Sequence, residues 1–325
     1  MVQEGDGIVS RGQAGLAQRV PSQRHMRRKC IFDVASLTKP VCTGTIALKL
    51  WEGGELSPDE HFGRYLPQFS GGWRDGVTLG QVLSHSSGLP SGLPIPKLCK
   101  DPSQVLDCIC KAEMAYAPGS RTLYSDVGFI LLGKLLERVS GKALDVLGNR
   151  VVFGPLGMDR TMYRPPRRLR PEIVATERSR SGRGALVGVV HDGSARFMRG
   201  VSGHAGLFSS IDDLAKFCRT MLGKGHAVLS RQTIERATSV WADDGENAYG
   251  LGWFKRRSPE NPASRHFSKL AYGHTGYTGT SIWIDPARDF FAILLTNRVH
   301  NQTDAGRIPE MNRMRRRFHD LALGH

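Results

Sequence analysis

The sequence predicts an α+β protein: an antiparallel sheet flanked by helices, built from both chain ends, with a mainly helical lobe in the middle. Three observations predict it. Residues 7–16 read as a short strand near the start. The middle of the chain carries apolar residues at helical spacing. Strand-like segments at 265–273, 279–285 and 289–297 then precede an amphipathic helix at about 305–322. Strand, helices, then strands and a closing helix is the order of a sheet that joins the chain ends. The implied division is a sheet lobe of residues 1–55 and 200–325 and a helical lobe of residues 56–199, with the cleft between them.

Each element has its own signal. Ser36 opens a helix carrying Val41, Ile46, Leu48, Leu50 and Trp51, and Gly53-Gly54 stops it. Pro40 is tolerated because the first helical turn lacks intrahelical partners for its N–H groups anyway. Thr78 caps a short helix through Leu83, which Gly88 and Pro90 end. Ser, Gly and Pro make 86–98 a loop, and Pro102 starts a helix over 102–116. Apolar positions 127, 130, 131, 135 and 139 predict a buried helix beginning near Asp126. Tyr124 then sits on the loop just before it, a good place to hold a side chain toward a cleft. Residues 140–200 are loop-rich, and the arginine-rich stretch 164–183 is the expected mobile segment. Ser210 to Asp213 resembles a capping box, with Asp in place of the usual Glu or Gln. Leu214, Phe217, Cys218, Met221 and Leu222 form the apolar face that follows. Asp285-Pro286-Ala287-Arg288-Asp289 is hairpin chemistry. Phe290 to Leu295 is apolar enough for a strand covered on both faces.

Composition excludes several classes. Of the 325 residues 40% are hydrophobic and 23% charged, as in a globular protein, and the longest apolar runs are far short of a membrane span. The first residues lack a basic region and an apolar stretch, so they are not a signal peptide. The expected location is cytoplasmic as written, or periplasmic or envelope-associated if a leader is missing. The net charge is +15, and arginines cluster at 164–170, 178–183 and 313–317. No nucleic-acid motif or interleaved aromatics accompany them, so a solvated basic surface is expected rather than a nucleic-acid partner. The six cysteines show no Cys-x-x-Cys and no zinc spacing. Free thiols, no metal and no cofactor follow.

The chemistry centres on Ser36-Leu37-Thr38-Lys39. Residues i and i+3 share a helix face, so the Lys39 ammonium can reach the Ser36 hydroxyl. A serine needs a proton acceptor to become a nucleophile. Alone the pair is a weak signal, equally a capping serine beside a solvated lysine. Tyr124-Ser125-Asp126 and His274-Thr275-Gly276 follow in order. Of the other histidines, His85 reads as a structural hydrogen-bonder, and His204 either contacts substrate or bridges loops.

Together the three segments resemble the serine β-lactamase and penicillin-binding-protein superfamily, in its class C-like branch of β-lactamase-fold esterases and D-alanyl-D-alanine carboxypeptidases. Residues 83–90, 124–133 and 203–209 are similar to the same branch. The resemblance runs from about residue 7 to the C-terminal helix. It implies a β-lactamase/transpeptidase-like fold, with Ser36 as the acylated nucleophile, Lys39 as base or activating cation, and Tyr124 as partner acid/base. Whether Lys39 or Tyr124 takes the proton stays open. The implied oxyanion hole is the backbone N–H of Ser36 and of Tyr277, and Asp126, His274, Thr275 and Gly276 would bind substrate. Glycines 276 and 279 would let backbone approach the substrate.

Two departures bear on substrate. Asp126 stands where relatives often have Asn, and an ionised carboxylate only accepts. His274 stands where Lys is frequent, and a histidine is only partly charged near neutrality. Both argue against efficient β-lactam turnover and favour an ester or a peptidoglycan-type D-amino-acid amide. The alternatives are a catalytically silent binding protein of the same fold and a weak β-lactamase. Relatives also carry a strand before residues 7–16, so a truncated start is expected.

Overall fold

The computed structural model of the chain describes residues 1–178, 183–225, 228–256, 262–300 and 308–325. Among these, eight strands form one antiparallel sheet. Their spatial order is Gly7–Ser10, Val2–Glu4, Phe290–Leu294, Ser281–Asp285, Tyr272–Thr275, Phe254–Lys255, Ala248–Tyr249 and Ala242–Asp243. Strands from the two chain ends are neighbours, with Val2 opposite Ala292 and Glu4 opposite Phe290. The α+β class expected from the sequence is the class observed.

Side-chain alternation explains why Phe290–Leu294 and Ser281–Asp285 sit centrally. Successive residues of a strand face opposite sides. Ile282, Ile284, Phe291 and Ile293 enter the main core. Trp283, Phe290 and Ala292 face the other way, against Phe267 and the closing helix Ile308–Ala322. Both faces are covered, so the apolar run has nowhere polar to point. The helix Ile211–Met221 packs on the sheet, and the helix Asp126–Ser140 shares the main core, with Val127, Phe129, Leu131, Leu132, Leu135 and Leu136 fully buried. Ser125 caps the latter by accepting from Gly128 N–H at 3.0 Å.

Several boundaries differ from the sequence expectations. The strand at 7–16 covers only Gly7–Ser10, and the strand expected to be missing before it is present as Val2–Glu4. Three residues are too few to show a periodicity. The segment 265–273 joins the ladder only at Tyr272, because Ser268 N–H turns aside to the Asp285 carboxylate at 2.7 Å. The three two-residue strands between 242 and 255 had no readable signal. Neither did a second sheet of Ile31–Asp33, Leu207–Ser210 and Met162–Tyr163. The helix at 102–116 is a 3-10 turn Pro102–Gln104 followed by Val105–Lys111. Beyond it the chain extends so that Ala115 N–H can donate to Gly88 O at 2.7 Å.

Within 164–183, residues 179–182 lie outside the described residues. The described part is tied to the fold at residues 173–175. Arg167–Glu172 forms a 3-10 turn, and Ile173, Val174 and Ala175 are buried. Val174 N–H donates to Ile31 O and Ala175 N–H to Ala17 O, each at 2.8 Å. No helix among the described residues is long and apolar enough to cross a membrane.

Candidate active site

The turn around Ser36 is set by contacts made before and after it. Ala35 has φ of +48°, a left-handed conformation that costs a side-chain-bearing residue energy. The buried Asp33 carboxylate holds it there, accepting from Ala35 N–H at 2.9 Å. Thr38 Oγ1 donates to Ala35 O at 2.6 Å from the other side. Gly276 closes the packing: a Cβ there would fall 2.5 Å from Val34 O. That glycine therefore allows the close approach between the end of the strand and the turn around Ser36, and it also borders the cavity.

The regular helix expected from Ser36 is not regular at its start. A 3-10 turn, Ala35–Leu37, leads into a wide π segment, Lys39–Gly44, and only then into the α-helix Thr45–Glu52. Pro40 lacks an N–H and sits where the helix widens; its carbonyl accepts instead from Thr45 Oγ1 at 2.7 Å. Residues three apart eclipse in a 3-10 turn. Lys39 Nζ accordingly donates to Ser36 Oγ at 3.1 Å.

Lys39 is 0% exposed and its three N–H directions are all used. Besides Ser36, it donates to Asp126 Oδ1 at 2.6 Å and to His204 O at 3.2 Å. Gly203 permits the last contact, since a Cβ there would meet Phe129 O at 2.0 Å. His204 itself is buried between Ser202 Oγ at 2.8 Å and Asp192 Oδ1 at 2.9 Å. Its carbonyl positions Lys39, and its surroundings border the cavity.

Tyr124 stands where the sequence placed it, on the loop before the Asp126–Ser140 helix. Its ring centroid is 4.8 Å from Lys39 Nζ, and its hydroxyl reaches Lys39 and Ser36. His85 fixes this loop. Its Nδ1 accepts from Ser125 N–H at 3.1 Å, and its ring lies 4.6 Å from the Tyr124 ring. Burial first, then the Lys39 charge, hold His85 well below the usual histidine range, so it is neutral. The structural reading of His85 stands, with a sharper role in holding Tyr124.

His274 needs correction. It was expected to be partly charged near neutrality. It is 0% exposed, stacked on Phe254 at 4.3 Å, with Nδ1 2.9 Å from Thr275 O. Burial, and secondarily the Lys39 charge, push its pKa down to about 3. The ring is neutral and cannot replace a fixed cation. Thr275, Gly276 and Tyr277 border the same cavity of about 760 Å³ as Ser36, Tyr124 and Asp126. Arg298 braces its rim, donating Nε and an Nη to Tyr277 O at 3.1 and 2.6 Å. Arg315 braces the turn between the strands Tyr272–Thr275 and Ser281–Asp285 by donating to Gly276 O at 2.7 Å and Thr280 O at 2.9 Å.

The resting charges follow. Burial opposes the Lys39 ammonium, but Asp126 and Tyr124 together outweigh it and the lysine pKa is raised. Burial likewise opposes ionised Asp126, whose pKa is nevertheless lowered by Lys39. Burial raises the Tyr124 phenol, Lys39 works against that, and Asp126 adds to it. At rest the site holds a Lys39–Asp126 ion pair beside a neutral phenol.

Residues 1–312 match the protein family described as Beta-lactamase. The chain belongs to that family. It is 35% identical over 332 residues to an N-acetylmuramyl-L-alanine amidase of Bacillus subtilis, covering 90% of this chain and 75% of the relative. An Escherichia coli protein named as a candidate D-alanyl-D-alanine carboxypeptidase is 33% identical over 306 residues, covering 83% of this chain and 70% of the relative. Among solved structures, a hydrolase with promiscuous acyltransferase activity, EstCE1, aligns with a TM-score of 0.77 at 21% identity, covering 97% of this chain and 91% of that one. A class C beta-lactamase aligns with 0.75 at 19%, covering 95% and 86%. These two confirm the β-lactamase fold, and the family makes the chain a serine hydrolase. Sequence reasoning missed Asp33, Asp192, Arg298 and Arg315. Asp192, Arg298 and Arg315 act on segments away from their own positions, and Asp33 acts both on Ala35 beside it and on His191 N–H at 2.7 Å.

Proposed function

We propose that this chain cleaves an amide bond of a peptidoglycan-derived substrate through an acyl-enzyme on Ser36. The observation that carries the reading is Lys39 Nζ at 3.1 Å from Ser36 Oγ and 2.6 Å from Asp126. Lys39 N–H occupies a lone pair of Ser36 Oγ, so the serine proton is free to point to the Tyr124 oxygen. The reactive form carries Tyr124 as a phenolate, which the Lys39 charge favours; it accepts that proton as Oγ attacks the carbonyl and becomes the phenol. The backbone N–H groups of Ser36 and Tyr277 would receive the oxyanion, each such donor being worth about 2.7–4 kcal/mol of barrier. Tyr124 then protonates the leaving amine, and water releases the acyl group by the reverse path. An amide is favoured over an ester because both curated relatives are named for amide cleavage. The neutral His274 offers no fixed charge to a substrate carboxylate, which speaks against β-lactam turnover.

The test is a substrate panel: an N-acetylmuramyl-L-alanyl peptide, a D-Ala-D-Ala peptide, a short-chain ester and a cephalosporin. One of the two amides should give the highest kcat/KM. Turnover of the ester alone would refute the amide reading, and ligand binding with no turnover would indicate a silent binding protein.

Asp126→Asn has a signed consequence for pH. The carboxylate raises both the Lys39 and Tyr124 pKa values, and activity needs one of the two groups in its basic form. The alkaline-rising limb of kcat/KM should therefore move to lower pH in the variant. His274 adds no limb between pH 5 and 8, since its titration lies near 3. The new amide can also donate to a substrate carbonyl, so slow labelling by a fluorescent penicillin should increase. An unmoved limb would take Asp126 out of the base's electrostatics.

A further inference from the structure

We propose that Cys99 and Cys108 are a redox-responsive dithiol, which oxidises to an intrachain disulfide that staples the loop beneath one wall of the cleft. The two sulfurs lie 2.7 Å apart. Cys99 follows the short helix Ile95–Leu98, and Cys108 is on the helix Val105–Lys111. The pair therefore bridges two elements that the intervening loop joins. Cys99 is buried and Cys108 half-buried. Burial and then the Cys108 sulfur push the Cys99 thiol up to about 12, so it stays protonated. The more accessible Cys108 is the entry point. Cys110 is two residues further on the same helix and faces elsewhere, because residues two apart do not share a face.

The chemistry is thiol–disulfide exchange with a small or protein disulfide as oxidant. The Cys108 thiolate attacks one sulfur of that disulfide and expels the other as a thiolate. Cys99 then loses its proton and attacks Cys108 sulfur in the mixed disulfide, releasing the second thiol. Two thiols of this chain lose two electrons and two protons, and the external disulfide becomes two thiols.

The location connects the pair to the site by two routes. The helix Ile95–Leu98 packs on the helix Gly193–Phe197. That second helix is capped by Asp192, which borders the cavity and holds His204. Upstream, Ser91 O accepts from Asp126 N–H at 2.8 Å, and Pro90 O accepts from Ser125 Oγ at 2.6 Å. Closing a short loop removes freedom from the unfolded chain and tightens what the loop supports.

The purified full chain is equilibrated in glutathione buffers from fully reduced to fully oxidised, then denatured, alkylated with a maleimide and mapped by mass spectrometry. In oxidising buffer four of the six cysteines should remain alkylatable, with the Cys99 and Cys108 peptides joined. Tm should rise by a few degrees on oxidation. Amide exchange should slow in residues 88–98 and 193–197. Cys99→Ser and Cys108→Ser should each abolish the oxidation-dependent Tm rise, whereas Cys110→Ser should keep it. Because the mapping uses the unaltered chain, poor folding of a variant does not blunt it. Six alkylated cysteines in fully oxidising buffer, a pairing through Cys110, or a disulfide that leaves Tm and exchange unchanged would each overturn the proposal.

Discussion

Ser36→Ala is expected to lower kcat on the best amide of the panel by about a million-fold, the scale seen when a serine nucleophile is removed from a hydrolase. The fold should survive the change. Ser36 Oγ accepts from Lys39 Nζ and lies beside the neutral Tyr124 hydroxyl, and the ammonium keeps Asp126 and the His204 carbonyl as partners. No buried charge is stranded, so Tm should stay within a few degrees of the unaltered chain. Substrate binding should persist, because the rest of the cavity wall is untouched. A fluorophosphonate probe should label the unaltered chain at Ser36 and fail on the variant. Equal labelling of both would remove Ser36 from the chemistry, whatever the turnover data show.

How much of this was readable from sequence depends on the range of the forces involved. The Ser36–Lys39 pairing was legible because spacing alone brings residues three apart together. The left-handed Ala35 that aims Ser36 was not legible. It depends on Asp33 and on Gly276, and Gly276 is 240 residues further along the chain. Tyr124 was legible through the apolar periodicity that fixed the start of the following helix. The charge of His274 was not. A histidine in a motif looks half-ionised until Phe254 covers it, and Phe254 belongs to a two-residue strand with no pattern to read. The sheet shows the same division. The long apolar run at Phe290 announced a strand covered on both faces, whereas Val2–Glu4 is defined only by its partner strand.

The charge arrangement also separates the roles of Lys39 and Tyr124. The site balances one ammonium against one carboxylate, and the phenol responds to both. If Tyr124 is the acceptor and Lys39 its cation, then removing either charge shifts the same titration, in opposite senses. Asp126→Asn lowers the phenol pKa, because the carboxylate raises it. Lys39→Met removes the main influence holding that pKa down, so it must rise.

Lys39→Met is therefore expected to reduce kcat/KM near neutrality by about a thousand-fold, within the range for losing general acid–base assistance. Activity should partly recover toward high pH, with the alkaline limb displaced upward. Stranding one partner of a fully buried ion pair typically costs about 3–5 kcal/mol. The Asp126 side chain is 39% exposed on the cavity, so water screens it and the cost is smaller. Methionine fills a similar volume, and a cooperative thermal transition should remain. If Lys39 itself is the base, the variant has no alkaline limb left to displace. Its residual activity is then flat with pH, and Tyr124→Phe becomes the milder lesion. A displaced limb in Lys39→Met, with a flat profile in Tyr124→Phe, assigns the proton to the tyrosine. The reverse pattern assigns it to the lysine.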